Sequence, residues 1–273
     1  MEAIRSRKFV LATFITVLAI AVAIAFSAAP VSAASKKTVK LIKGHGLKYY
    51  KTGLVKEIDR GVKVTNYKYD SKGRIKEIKQ YDCDDGKELE NKYTLTYSKK
   101  GKLKKVVKRY YDKGKVVKKT TCGISVGKGN RIEEFRYMNR YGDTKIILEC
   151  KYDSKGRMKE LSEIYRDMNT GETLVENYYH ERDSKGFFNK SVLRLDTGDD
   201  HTYEYTNTKK SGLVTSIKLY NVEEDDTTTT NFKYKKKKIA KKYVKAVKAQ
   251  QMEMLYIGNW WNQSPLYYLG ELE

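Results

Sequence analysis

The side chains best able to do chemistry are few in this chain and poorly grouped. There are three histidines, His45, His180 and His201, and none belongs to a His-Glu-x-x-His or comparable pair. His45 lies between Gly44 and Gly46, in what reads as a flexible N-terminal segment. His180 stands three residues before Asp183, as Tyr67 stands before Asp70, so it reads as a structural substitute for tyrosine. His201 follows Asp199 and Asp200 in a turn, where imidazole and carboxylates could help hold a metal. Three acidic groups could gather oxygen ligands for Ca²⁺: Asp82, Asp84 and Asp85; Asp196, Asp199 and Asp200; and the run Glu223, Glu224, Asp225, Asp226. None has the EF-hand loop closed by a bidentate Glu between helices, and hairpin turns attract Asp without any ion. Cys83, Cys122 and Cys150 are too few for a disulfide scaffold and too far apart for a CxxC motif; one bridge with a spare thiol and three free thiols both fit. Serine nucleophile elbows, Walker loops and dinucleotide-binding glycines are missing. A glycosidase carboxylate pair is set by distance in space, so nothing in the sequence selects one. The reading therefore assigns no catalytic residue, no cofactor and no metal ligand.

Lysine and tyrosine remain. The formal net charge is +22, and 44 of the 56 basic residues are Lys. Lys is a hydrated point charge, whereas Arg matches planar phosphate and carboxylate groups bidentately, so this composition suits diffuse attraction to a polyanion. Alternating Lys can also simply solubilise the outward face of exposed strands and protect their edges. The densest positive run is Lys235, Lys236, Lys237 and Lys238, followed at a distance by Trp260 and Trp261; these six residues are the candidate binding patch. The 23 tyrosines include the adjacent pairs Tyr49-Tyr50, Tyr110-Tyr111, Tyr178-Tyr179 and Tyr267-Tyr268. Neighbours in a strand point to opposite faces, so one ring of such a pair is expected inside and the other outside. An exposed ring can stack on a sugar or take a cation–π contact.

The ends of the chain bear on which polyanion is relevant. Arg5, Arg7 and Lys8 precede an uncharged stretch from Phe9 to Ala29, then Pro30-Val31-Ser32-Ala33. That is the order of a secretory signal, with cleavage expected after Ala33 and Ala34 as the near alternative. The uncharged stretch is also long enough to stay in a bilayer as an anchor. Cleavage would remove three basic residues and Glu2, leaving a charge of +20. A cytoplasmic protein so basic would suggest nucleic acid. For an exported one, the expected partner is an anionic envelope polymer or glycan, with no nucleic acid, and with a membrane only if the segment stays uncleaved.

The elements that would carry these residues are hairpins. Tyr67-Lys68-Tyr69-Asp70-Ser71-Lys72-Gly73-Arg74-Ile75-Lys76-Glu77-Ile78 recurs as Tyr152-Asp153-Ser154-Lys155-Gly156-Arg157-Met158-Lys159-Glu160-Leu161, and Asp-Ser-Lys-Gly occurs a third time, ending at Gly186. Tyr, Thr and Val before the turn favour a pleated strand. Asp can accept backbone N–H bonds from the residues ahead of it, and Gly supplies the positive φ of a hairpin built on a type I turn. Apolar residues then fall three apart: Ile75 and Ile78, Leu103 and Val106, Met158 and Leu161. On a regular strand that offset would put them on opposite faces, so the reading favours a bulge in each returning strand. The irregular spacing of the turns argues for an antiparallel meander rather than a strict solenoid. Near residue 235 the pattern changes, and Ile239, Tyr243 and Val247, four apart, predict a helix over about 238–256.

Tyr69-Asp70-Ser71-Lys72-Gly73-Arg74-Ile75 and Tyr152-Asp153-Ser154-Lys155-Gly156-Arg157-Met158 resemble the YD repeat, the Tyr-Asp hairpin unit of bacterial cell-surface and secreted proteins. Tyr111-Asp112-Lys113-Gly114 is one residue short, and Tyr97-Ser98 lacks the Asp. The resemblance covers residues 45–220 in degenerate form and implies a surface β-hairpin protein, of a kind that sometimes binds carbohydrate.

The expected architecture is all-β: an antiparallel meander of repeated β-hairpins, as a curved open sheet or barrel-like, with one C-terminal α-helix. Its parts are a signal peptide (1–33), a flexible segment (34–45), the hairpin domain (46–234), and a basic helix with an aromatic tail packing on the sheet (235–273). The expected function is that of an exported, non-enzymatic binding or structural protein, secreted, envelope-associated or N-terminally anchored. The alternative is a secreted enzyme or inhibitor whose site forms only in the fold.

Overall fold

The computed structural model describes residues 35–84 and 86–256. The expected signal segment and cleavage site, together with Trp260, Trp261 and the rest of the aromatic tail, lie outside the described residues. Within them, seventeen strands follow one another, numbered in chain order from β1 (Lys36–Lys43) and β2 (Leu47–Tyr49) to β16 (Asp226–Asn231) and β17 (Lys233–Ala240), and one α-helix, α1 (Val244–Met254), follows the strands. Strands β2 to β16 form a single sheet in strict sequence order, every neighbour antiparallel, while β1 pairs only with β17. This is the hairpin meander with a C-terminal helix that the repeats predict.

The bulges are present where the spacing asks for them. Between β4 (Lys63–Tyr69) and β5 (Ile75–Asp82), Tyr69 faces Ile75 but Lys68 faces Glu77, so Lys76 is the extra residue. The same slip puts Tyr152 opposite Met158 and Lys151 opposite Glu160, and Arg182 opposite Phe188 and Glu181 opposite Lys190. Each bulge restores the inward direction, and Ile75, Ile78, Met158 and Leu161 are all buried on the same core.

The turns themselves are copies of one another. Gly73, Gly156 and Gly186 have φ of 80°, 77° and 96°. Asp70 Oδ1 accepts from the amides of Lys72 and Arg74, and Asp183 Oδ1 from those of Lys185 and Phe187. In the copy that lacks Asp, Ser98 Oγ takes over by accepting from Lys102 N at 3.1 Å. These glycines are less exposed than free turns would be. Gly186 is buried and the other two are half-buried, because Tyr243 lies against Gly73, Arg131 over Gly156 and Arg157 along Gly186.

Tyrosine links one hairpin to the next. The hydroxyls of Tyr97, Tyr152 and Tyr234 donate to the carbonyls of Ile75, Ile132 and Val214, each at 2.7 Å. Each ring thus packs on the core while its polar end is satisfied by backbone of an earlier hairpin, as a buried phenol requires.

The N-terminal expectation is corrected. Residues Lys36–Lys43, read from the sequence as part of a flexible segment, form a strand because Val39, Leu41 and Ile42 give it apolar faces and β17 gives it a partner. The helix is also shorter than the periodicity suggests. Strand persists to Ala240, a single 3₁₀ turn spans Lys241–Tyr243, and α1 begins at Val244. The four-residue spacing of Ile239, Tyr243 and Val247 survives as a cluster between ribbon and helix, not as one helical stripe.

The two ends of the meander meet at one corner. The His45 ring nitrogen Nε2 lies 3.0 Å from the Asn231 carbonyl, and the ring packs on Phe232 with centroids 5.1 Å apart. Helix α1 holds β1 and β3 (Val55–Asp59) through consecutive glutamines: Gln251 accepts from the Ile42 amide at 2.7 Å and Gln250 from the Val55 amide at 3.0 Å.

Candidate functional site

Lys235 to Lys238 lie inside β17, not in a basic helical segment beginning at 235 as the sequence reading has it. A strand sends successive side chains to opposite faces, so the run is not a one-sided patch. Its partner makes up the difference. In the β1–β17 register Lys40 faces Lys236 and Lys43 faces Lys233. Lys36, Lys37, Lys40, Lys43, Lys233, Lys235, Lys236 and Lys238 are exposed, and Lys237 is half-buried. Neither strand contains an acidic residue. Lys241, Lys242, Lys245 and Lys248 continue the exposed charge into the turn and α1.

Like charges directly opposite one another destabilise a strand pair, so this ribbon is held by other groups. Val39, Leu41 and Ile239 pack with Leu54 and Val247 on one face, while Ile42 and Tyr234 join the main core on the other. Lys235 Nζ sits 5.2 Å from the centre of the Tyr49 ring.

Four lysines of the large sheet are arranged differently. Lys48 is 2.5 Å from Glu57, Lys68 2.9 Å from Glu77, and Lys151 2.5 Å from Glu160. In every case the two residues face each other across the hairpin beside its bulge. Lys92 adds a second contact to Glu77 at 2.8 Å. Hydrogen bonding to these glutamates, with their charge, raises the pKa of Lys48, Lys68 and Lys151. These four lysines therefore neutralise glutamates of the sheet. The ribbon lysines have no such counter-charge in their own strands.

A groove of about 540 Å³ runs beside the ribbon, lined in part by Lys40, Tyr234, Val247, Lys248, Gln251 and Met252. Its two lysines stand where α1 meets β1.

The sequence reading did not anticipate the polar residues inside the sheet. Lys108 is fully buried, with Nζ 4.3 Å from the ring centres of Tyr110 and Tyr137 and 5.2 Å from that of Tyr93. Asn91 and Glu163 are equally buried, and the Tyr165 hydroxyl donates to Glu163. The available signal was alternation: Val106, Lys108 and Tyr110 share one face of their strand. His180 occupies the inward place expected of a tyrosine substitute, with Nδ1 3.1 Å from Ser191 Oγ. Ser191 is 1% exposed and His180 7%, so no substrate reaches that pair from solvent. Burial pushes the thiols of Cys122 and Cys150 up to about 12, which keeps them protonated and unreactive. Asp200, beside His201, is engaged by Arg194 through two contacts of 2.8 Å. Of the tyrosine pairs, Tyr178 is buried and Tyr179 exposed as alternation demands, and Tyr110 is buried.

No protein-family profile matches this chain, and no curated protein matches it. Solved structures show remote similarity. A porin-like protein from Bacteroides vulgatus is 13% identical with a TM-score of 0.42, over 63% of this chain and 92% of that one. A porin-like protein from Bacteroides uniformis is 14% identical with a TM-score of 0.32, over 73% and 98%. The Tc holotoxin pore of Photorhabdus luminescens is 12% identical with a TM-score of 0.30, and the match spans 70% of this chain but only 12% of that one. Likeness at this distance is consistent at most with a general hairpin-repeat β fold. Among the described residues no helix is long and apolar enough to cross a membrane, which says nothing of strands.

Proposed function

We propose that this chain is an exported, non-enzymatic binding protein whose β1–β17 ribbon holds an anionic polymer of the cell envelope or its surroundings. The observation that carries this reading is the contrast between two sets of lysines. Lys48, Lys68, Lys92 and Lys151 on the sheet are matched to Glu57, Glu77 and Glu160, whereas the ribbon gathers its lysines on a strand pair without an acidic residue, with Lys40 facing Lys236 and Lys43 facing Lys233. Neighbouring strands lie about 4.8 Å apart, well inside the Debye length of about 8 Å at physiological salt. The ribbon therefore acts on a polyanion as one extended charge, and the mutual repulsion of its lysines is relieved when the polymer binds. Export is supported by the order of Arg5, Arg7, Lys8, the uncharged stretch and Val31-Ser32-Ala33.

Retention on a teichoic-acid-like or heparin-like polymer across a salt series tests the reading. Binding weakens steeply between low and physiological salt if the attraction is diffuse. No binding even at roughly 10 mM salt, where screening is weakest, would overturn it. Strong retention that salt leaves unchanged would also overturn it, and would move attention to Trp260 and Trp261.

A further inference from the structure

Strand β16, Asp-Thr-Thr-Thr-Thr-Asn, is the last strand of the large sheet, and among the described residues it pairs on one side only, with β15 (Leu213–Asn221). Natural sheets protect such edges with Lys, Pro or a bulge. This edge has none: its register is unbroken, and β16 is the one strand among the described residues without a Lys or Arg. The chain's net charge of +22 opposes approach of a second copy at lysine-rich surfaces.

The outward backbone groups can be named. Phe232 N donates to Thr215 O at 2.8 Å, and in an antiparallel ladder the bonded pairs alternate. Residues 226, 228 and 230 therefore turn their backbone groups toward β15, and Thr227, Thr229 and Asn231 turn theirs outward. The Asn231 carbonyl, which meets His45, agrees with this phase. Thr227 and Thr229 remain to offer N–H and C=O to a partner.

We propose that β16 pairs antiparallel with β16 of a second copy, joining the two sheets about a twofold axis at Thr228. Thr227 of one copy then exchanges both backbone bonds with Thr229 of the other, while the Asn231 carbonyl stays with His45 and takes no part in the ladder. Charge selects this direction. The strand begins at the acidic turn of Glu223, Glu224, Asp225 and Asp226 and ends at Lys233 and the lysine run. Antiparallel pairing sets each acidic turn beside the other copy's first lysines; parallel pairing would set ribbon against ribbon. In this register Lys233 of one copy lies opposite Glu223 of the other, so the two ribbons begin ten residues, roughly 33 Å, apart, beyond the Debye length of about 8 Å. Cross-strand Thr pairs are favourable. One edge ladder buries less than the roughly 1,200 Å² of a standard interface, so the dimer is weak and concentration-dependent.

Sedimentation of the exported chain over a concentration series, without polyanion, tests this. The mass rises from that of one chain toward that of two, and Thr227 and Thr229 amides gain protection from hydrogen exchange. Thr229→Pro removes an outward N–H without touching the bonds to β15, and Thr229→Lys adds the missing edge charge. Both variants stay at the mass of one chain with unchanged circular dichroism; if the proline variant does not fold, the lysine variant decides. A wild type that remains one chain at every concentration would overturn the proposal, as would a dimer that survives both substitutions. Polyanion binding is a separate readout, so the failure of either idea leaves the other standing.

Discussion

Asp153 and Gly156 show how much a single turn residue controls. Burial works against the Asp153 charge, but the amide and guanidinium of Arg157 and the amide of Lys155 outweigh it and hold the carboxyl below its usual range; Asp70 is lowered in the same way through Arg74 and Lys72. A carboxylate whose folded pKa is depressed adds stability that is fully present above its unfolded value, about 3.9, and is lost as pH falls toward the folded one. The denaturation midpoint of the wild type should thus hold steady from neutral pH to about 4 and drop below it, and Asp153→Asn should flatten that acid drop. Gly156→Val should cost about 1–2 kcal/mol through the left-handed backbone alone, read from urea midpoints. The loss should be larger than at Gly171, where a Cβ would meet nothing, because at Gly156 it would strike Arg131. The positive φ of this turn could be read from Asp-Ser-Lys-Gly. The arginine over it could not, because that contact joins separate hairpins and no local pattern encodes it.

At the scale of elements, the bulged hairpin was legible and the ribbon was not. Apolar residues three apart, as in Ile75 and Ile78, have one economical explanation in a half-buried strand, and the bulge follows. Lys36–Lys43 offered only Val39, Leu41 and Ile42 among polar residues, too little to announce a strand without knowing that β17 lay beside it. The helix boundary slipped for the same reason: Ile239 satisfies a helical period and a strand period equally, and pairing with Lys37 decides for the strand. The tyrosine links between hairpins give a direct test at this scale. Tyr152→Phe keeps the ring and removes the bond to the Ile132 carbonyl, so it should destabilise by about 0.5–1.5 kcal/mol, measured by urea denaturation. Tyr179→Phe, at an exposed ring, should change the midpoint little.

For the whole molecule, fold class came from repetition, since the same turn drawn three times from one chain commits the intervening residues to a meander. The proposed binding surface is a different matter: composition announces a large positive charge, but only pairing in space tells which lysines are already neutralised. We propose that the ribbon, and not net charge in general, holds the polyanion. Two variants with the same change in charge separate these ideas. One carries Gln at Lys235, Lys236, Lys237 and Lys238; the other carries Gln at Lys48, Lys68, Lys92 and Lys151, the lysines matched to Glu57, Glu77 and Glu160. The measurement is the salt concentration at which each elutes from an immobilised anionic polymer, beside the wild type. The ribbon variant should elute at clearly lower salt than the sheet variant, which should stay close to the wild type. Equal shifts for the two variants, or a larger shift for the sheet variant, would show that net charge and not the ribbon holds the polymer.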